Sequence, residues 1–399
     1  MKIKIEKGGA SGTVFAPPSK SVAHRLLIAA SLAEGESIIE NVAYSEDILA
    51  TLDCLSALGA TVTKEESRVR IIGVGGKPRA TEGLFCRESG STLRFLLPLT
   101  LLMGGGELFG SERLIDRGVS VYEETLCCAG IEFEKKNGSI SVKGILSAGH
   151  YILCGNVSSQ FVSGMLFALS CLERDGFLEI EPPFESREYV DITVEALALF
   201  GVKIKKKSEF VYEIRGGQRY LPRSLSVEGD WSNAAFLYAL DLLCGDVRVE
   251  GLREDSLQGD RVCRDLFARV GRETLDLSGC PDLAPILMAV AAAKGGGRFV
   301  GTRRLAIKES NRAVAMQAEL AKVGIAVDVE ENAVTVHGGT LHAPTEVIDS
   351  HNDHRIVMAM SVLGTLVGLE IEGTEAVRKS YPDFFEVLSS LGIEVQYEA

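Results

Sequence analysis

The sequence predicts an α/β protein of two lobes, each made of three copies of one repeating unit. Three observations carry this: a chain of 399 residues, a helix–Gly–strand phrase that recurs six times, and six polar clusters that open apolar helices at nearly the same interval. A chain of that length is long for one core and comfortable for two of ordinary size. The phrase occurs at Leu58-Gly59-Ala60-Thr61-Val62, Ala129-Gly130-Ile131-Glu132-Phe133, Phe200-Gly201-Val202-Lys203-Ile204, Val270-Gly271-Arg272, Val323-Gly324-Ile325-Ala326-Val327 and Leu391-Gly392-Ile393-Glu394-Val395. Its glycines lie 71, 71, 70, 53 and 68 residues apart, so one copy is shortened. A Gly after the last helical turn suits a left-handed position past the helix end. The alternation that follows, as in Ala333-Val334-Thr335-Val336, has the period of a half-buried strand.

The polar clusters are Ser19-Lys20-Ser21, Ser89-Gly90-Ser91, Ser158-Ser159-Gln160, Asp230-Trp231-Ser232, Pro281-Asp282 and Asn352-Asp353-His354-Arg355. Positions 20, 90, 159, 231, 282 and 353 are 70, 69, 72, 51 and 71 residues apart. The helices that follow, such as 161–172 and 283–293, are apolar nearly all round and are therefore expected to be buried. Each unit reads as buried helix, strand, outer helix, then strands. A helix start presents backbone N–H groups and a positive dipole end, so six starts gathered at one cleft would suit a polyanion. Ser and Asp are also ordinary N-caps, which is the commoner explanation for any single helix. The anion reading gains weight because the six starts also carry unusual functional groups. A lobe boundary is expected at Leu225 to Gly229, between the third and fourth copies.

Composition narrows the class. The chain is 46% hydrophobic and 24% charged with no low-complexity stretch, as a fully folded protein requires. A formal charge of −13 argues against nonspecific nucleic-acid binding, which needs a basic face, yet leaves room for a local cationic cleft. Met1 to Gly8 reads as a short strand without a signal peptide, and no run is apolar enough to span a bilayer; Leu93 to Met103 is broken by Pro98 and the glycines 104–106. Nine scattered cysteines without a CxxC pair fit the reducing cytoplasm. The six histidines form no HxxxH or HExxH pattern, and no nucleotide-binding fingerprint occurs, so neither metal nor cofactor is expected.

Three runs concentrate chemistry. Pro17-Pro18-Ser19-Lys20-Ser21-Val22-Ala23-His24-Arg25 brackets a helix start with two cations and hydroxyls. Ile307-Lys308-Glu309-Ser310-Asn311-Arg312 puts Lys308 and Arg312 four apart, on one face if helical; the bland alternative is a surface ion-pair ladder with Glu309. Asn352-Asp353-His354-Arg355 packs an acid, an imidazole and a guanidinium into one helix start, more than a cap needs.

Together with Lys379-Ser380-Tyr381-Pro382-Asp383-Phe384, these runs resemble, in order and along the whole chain, the signatures of the enolpyruvyl transferase family. Ser158-Ser159-Gln160 and Asp282 resemble its shikimate branch. The resemblance implies two lobes, each of three repeats with parallel buried helices and mixed four-stranded sheets, residues 1–15 joining 228–399 and residues 16–227 forming the other lobe, with the active site in the cleft between. It implies transfer of the enolpyruvyl group of phosphoenolpyruvate to the 5-hydroxyl of shikimate 3-phosphate with loss of phosphate, by a cytoplasmic monomer that needs no cofactor, binds no nucleic acid or membrane, and is inhibited by glyphosate. By the same resemblance Asp282 is the base, and Lys20, Glu309 and His354 are candidates for proton delivery. Lys20, Gly90, Arg117, Gln160, Arg312, Arg355 and Lys379 match residues around the donor. Lys20, Ser21, Arg25, Ser158, Ser159, Gln160, Ser186, Tyr189, Asp282 and Lys308 match those around the acceptor. On their own, Ser186 and Tyr189 read as a loop before a helix at Asp191.

The chain departs from the family at Glu88-Ser89-Gly90-Ser91, where Asn-Ala-Gly-Thr is common, and at Phe95 and Gly118, where Pro is frequent. One rival is the UDP-N-acetylglucosamine branch, which carries a loop Cys that 110–117 lacks. Another is a noncatalytic phosphoanion-binding protein of the same fold.

Overall fold

The computed structural model describes residues 1–79 and 83–398. Its internal contacts divide into a C-terminal unit, Met1–Pro17 with Gly229–Ala399, and an N-terminal unit, Pro18–Glu228. Six buried helices form the cores: Lys20–Leu32, Gly90–Thr100 and Ser159–Leu169 in the N-terminal unit, and Trp231–Cys244, Ala284–Ala293 and His354–Val367 in the C-terminal unit. Every residue of Ser159–Leu169 except Gln160 is buried, as an apolar helix without a polar face must be. Their side chains make two separate cores, one around Leu27, Leu96 and Phe167, the other around Phe236, Leu287 and Met358. Each fully buried Leu or Phe contributes about 1.5–3 kcal/mol. Among the described residues no helix is long and apolar enough to cross a membrane.

The repeat is visible in the backbone. The six phrase glycines, 59, 130, 201, 271, 324 and 392, all have positive φ, between 76° and 100°. In five copies the sheet takes a parallel edge strand from the preceding copy, adds the strand that follows the buried helix, and closes with an antiparallel pair. In the first copy Ser224–Ser226 runs parallel to Glu36–Glu40, which pairs antiparallel with Arg68–Ile72, itself paired with Thr61–Lys64.

The fourth copy corrects the expectation of uniform four-stranded sheets. Among the described residues its sheet has two strands, Gly245–Glu250 parallel to Ala10–Phe15. Five other sheets are four-stranded. The short spacing in the sequence is this missing antiparallel pair. The sixth copy is completed by Lys2–Ile5, which lies between Leu369–Glu372 and Val395–Glu398 and pairs antiparallel with both. The two N-terminal strands thus fill two gaps left by the C-terminal half.

Candidate active site

In the N-terminal unit, Ser19 caps the first buried helix by accepting from the Val22 amide at 3.5 Å, which places Lys20 and Ser21 in its first turn. Lys20 Nζ lies 2.8 Å from Asp47 Oδ2. Arg25 is buried one turn on. Its Nε donates to Thr193 Oγ1 at 2.7 Å, Nη1 to the Ser21 carbonyl at 2.7 Å and Nη2 to the Tyr189 carbonyl at 2.8 Å. The guanidinium also lies 5.0 Å from the centroid of the Phe95 ring. Burial pulls its pKa down to about 10, so it keeps its charge at neutral pH. Phe95, read from sequence as a departure, is therefore the floor beneath Arg25.

Tyr189 is brought to Arg25 differently from the expectation. The helix starts at Arg187, not Asp191, and Tyr189 stands in its first turn. Ser186 is buried with φ 52°, the last residue of the irregular stretch 182–186, and that left-handed residue turns the chain into the helix.

A second group surrounds Gly90, the first residue of its helix behind the cap Ser89. A Cβ on Gly90 would lie 3.4 Å from Arg117 Nη2 and 3.5 Å from Arg94 Nη1, so two guanidiniums flank this helix start. Arg94 Nη1 donates to Gln160 Oε1 at 2.8 Å, and Gln160 Nε2 to Ser91 Oγ at 2.9 Å. Ser158 spends its hydroxyl on capping, accepting from the Gln160 amide at 3.3 Å. The Gly90 and Ser159 helices approach closely at Gly164, where a Cβ would meet the Arg94 carbonyl oxygen at 2.3 Å. A buried relay joins the two groups. His24 Nδ1 is 2.8 Å from Thr51 Oγ1, Thr51 Oγ1 is 2.7 Å from Thr92 Oγ1, and the Thr92 hydroxyl donates to Ser89 Oγ at 2.8 Å.

In the C-terminal unit the centre is Asp282, in the 3-10 turn Pro281–Leu283 that feeds the Ala284 helix. Arg312 Nη1 reaches its Oδ1 at 2.7 Å, Lys308 Nζ the same oxygen at 3.1 Å, and Arg355 Nη2 its Oδ2 at 3.3 Å. Burial by itself would raise the Asp282 pKa, but Arg355, then Lys308 and Arg312, outweigh it and hold the carboxyl well below the usual range. Arg312 is buried and also meets Asp353 Oδ2 at 2.9 Å and Glu309 Oε2 at 2.6 Å. Burial opposes its charge, yet Asp353, Glu309 and Asp282 keep it firmly protonated. Asp353 caps the His354 helix by accepting from the Arg355 amide at 2.9 Å. His354 is buried, with Nδ1 3.9 Å from Asp353 Oδ1. Lys379 Nζ donates to the Asn352 carbonyl at 2.7 Å.

Lys308 and Arg312 meet on Asp282, but not as neighbours on one helical face. Arg303–Ile307 is a 3-10 turn, Lys308 is extended, and the helix Arg312–Lys322 begins only after Asn311. Asn311 caps that helix by accepting from the Val314 amide at 3.4 Å, which requires a non-helical chain just before it. Nor is Glu309 a surface ladder, since it pairs with a buried guanidinium.

Sequence reading passed over Arg94, Asp47 and Asp260. A charge set inside the apolar run 90–101 was the available signal for Arg94. Asp260 is buried, and burial, then the charge of Asp282, pushes its pKa up to about 6. Nothing in its local sequence marks it, because its neighbours come from distant segments.

Comparison with solved structures defines the class first. Over 99% of this chain and 100% of that one, the fold matches an EPSP synthase from Acinetobacter baumannii at TM-score 0.80 and 25% identity. It also matches the enolpyruvyl transferase NikO from Streptomyces tendae at TM-score 0.78 and 17% identity, a likeness of fold covering 100% of this chain and 98% of that one. The architecture is that of the enolpyruvyl transferases. The family model for EPSP synthase (3-phosphoshikimate 1-carboxyvinyltransferase) matches residues 6–388, and the chain belongs to that family. Relatives named 3-phosphoshikimate 1-carboxyvinyltransferase in Clostridium kluyveri and Clostridium acetobutylicum are each 38% identical, with 98% of both chains covered.

Proposed function

We propose that this protein transfers the enolpyruvyl group of phosphoenolpyruvate to the 5-hydroxyl of shikimate 3-phosphate, and that residues of both units serve the one reaction. Family membership supports the activity. The observation that carries the mechanism is the convergence of Lys308, Arg312 and Arg355 on the single carboxylate of Asp282. Asp282 takes the hydroxyl proton as the oxygen bonds to C2 of the donor, while Lys20, Glu309 or His354 delivers a proton to its methylene carbon. The tetrahedral intermediate then loses a methyl proton and its C2–O bond to phosphate breaks.

A carboxylate held so far down in pKa is a poor base in the resting protein. Substrate anions correct this: as they draw Lys308 and Arg355 onto themselves, Asp282 loses two of its three counter-charges and its basicity rises. Arg117, Arg355 and Lys379 suit the donor's carboxylate and phosphate, Arg by its planar fork. Arg312 contributes mainly by holding Glu309, Asp282 and Asp353 in register. Arg25 with Ser21, and Ser158, Ser159, Gln160, Ser186, Tyr189 and Lys308, serve the acceptor. We place the enzyme in the cytoplasm as a monomer; its nine cysteines are all thiols, as a reducing compartment allows.

The test is release of phosphate from phosphoenolpyruvate and shikimate 3-phosphate in chelator-treated buffer. Turnover that needs both substrates is expected. Binding of both without release, by folded protein, would leave a noncatalytic phosphoanion-binding protein. Turnover with UDP-N-acetylglucosamine instead would move the chain to the other branch.

A further inference from the structure

Directly before Asp353 and Arg355 the backbone makes a turn to which the mechanism gives no role. His351 and Asn352 have φ 49° and 53°, two consecutive left-handed residues that are not glycine. Such residues keep this conformation only where their surroundings impose it. Within the segment the Asp349 carboxylate accepts the His351 amide at 2.7 Å and the Ser350 hydroxyl accepts the Asn352 amide at 3.1 Å, and one carboxylate from another element joins them. Glu319, on the helix Arg312–Lys322, is 1% exposed. Its Oε1 lies 2.8 Å from His351 Nε2, and its Oε2 accepts the Asp349 amide at 3.0 Å.

Seven residues earlier on the same helix face, Arg312 Nε reaches Asp353 Oδ2 at 2.9 Å. One helix therefore grips the segment on both sides of the strained turn. The turn's output is specific. The Asn352 carbonyl seats Lys379, and the next residues open the helix that aims Arg355 at Asp282. Lys322 Nζ also lies 2.8 Å from Glu319 Oε2, which taken alone would be an ordinary helix ion pair. An ordinary pair would not be sealed from water, nor would it hold a histidine and an amide of another segment.

We propose that Glu319 is a positioning residue for the donor grip, acting through His351 and the left-handed turn on Arg355 and Lys379. The proposal rests on reading those two cations as donor-binding. Steady-state kinetics with each substrate varied separately tests it, with thermal denaturation to establish folding. Glu319→Ala should raise KM for phosphoenolpyruvate about tenfold and KM for shikimate 3-phosphate by less than about twofold. Glu319→Gln, which keeps the volume and an acceptor for the Asp349 amide, should show a smaller rise with the same asymmetry. His351→Ala should reproduce the donor defect, and His351→Gln, whose amide can donate to the same carboxylate, should recover most of it. The double variant Glu319→Ala/His351→Ala should be no worse than the more impaired single, since both act through one turn. A donor KM within about twofold of wild type in folded Glu319→Ala and Glu319→Gln overturns the proposal, as does an equal rise in both KM values. Arg355→Gln separates the two failures: if it leaves donor KM unchanged, the donor-grip reading itself is wrong and the proposal falls with it.

Discussion

Replacing Asp282 by Asn isolates the proton-accepting role from the packing around it. The amide keeps the shape and one acceptor oxygen for Arg312 and Lys308, but it cannot take a proton at neutral pH. Loss of a positioned base lowers turnover about 10²- to 10⁴-fold, or about 3–5 kcal/mol of barrier. Stability changes less. Breaking a fully buried ion pair costs about 3–5 kcal/mol, but the Asp282 side chain is 20% exposed and Arg312 keeps Asp353 and Glu309, so about 1–3 kcal/mol is expected. That corresponds to a Tm lower by roughly 2–10 °C for a unit of this size. Binding moves the other way. Without the carboxylate, Lys308 and Arg355 face substrate anions uncompensated, so KM for phosphoenolpyruvate stays level or falls, and inorganic phosphate inhibits more strongly. The assay is phosphate release under saturation, with inhibition by added phosphate measured alongside. Turnover within about threefold of wild type would remove Asp282 from the base role. A rise in donor KM matching the loss of turnover would show that the carboxylate supports binding, not proton transfer.

Asp353→Asn tests linkage: burial raises this carboxyl's pKa, but the charge and hydrogen bond of Arg312 with the attraction of His354 together outweigh it, so its stabilisation is complete above the unfolded value of about 3.9 and fades as pH falls through the lower folded value. The Tm gap between wild type and variant should therefore be level from neutral pH to about 4 and narrow below; a gap that widens on acidification contradicts this. Gly90→Ala should fold normally, because its Cβ meets Arg117 and Arg94 at ordinary contact distances, yet it occupies space between two guanidiniums. Glyphosate, longer than phosphoenolpyruvate, should lose at least about tenfold more affinity than the donor, within the range one methyl group can discriminate; parallel inhibition curves at matched donor saturation would refute the steric argument. Alkylating the exposed Cys127 and Cys128 should leave most activity, and loss that tracks either thiol would favour a cysteine-dependent mechanism.

The glycine phrase and the apolar helices were legible because both report local geometry: a residue past a helix end, and a surface with no polar face. The shortened fourth copy was legible as a count, but not as a two-stranded sheet, since strand pairing joins Ala10–Phe15 to Gly245–Glu250 across the whole unit. At the site, the motif residues Asp282, Lys308, Arg312 and Arg355 do meet, yet through a non-helical stretch, 308–311, that a period-based reading turns into helix. Arg94 and Glu319 were hidden for a related reason. Arg94 is a lone charge in an apolar helix and Glu319 reads as half of a helix ion pair with Lys322, and only distant partners, Gln160 for one and His351 for the other, give them meaning.

The two N-terminal strands set an order of events during synthesis. Among the described residues, Pro18–Glu228 contains every strand and helix of its own unit, so no later segment is needed to complete its sheets. The other unit cannot finish. Lys2–Ile5 waits for Leu369–Glu372 and Val395–Glu398, the last strand of the chain, before either of its edges is covered. Until those two strands have been made, Lys2–Ile5 has neither edge paired, and unpaired strand edges invite pairing with other nascent chains. A bulky addition beside Lys2–Ile5 therefore burdens the sheet of the C-terminal unit, not the unit Pro18–Glu228 that follows it in sequence.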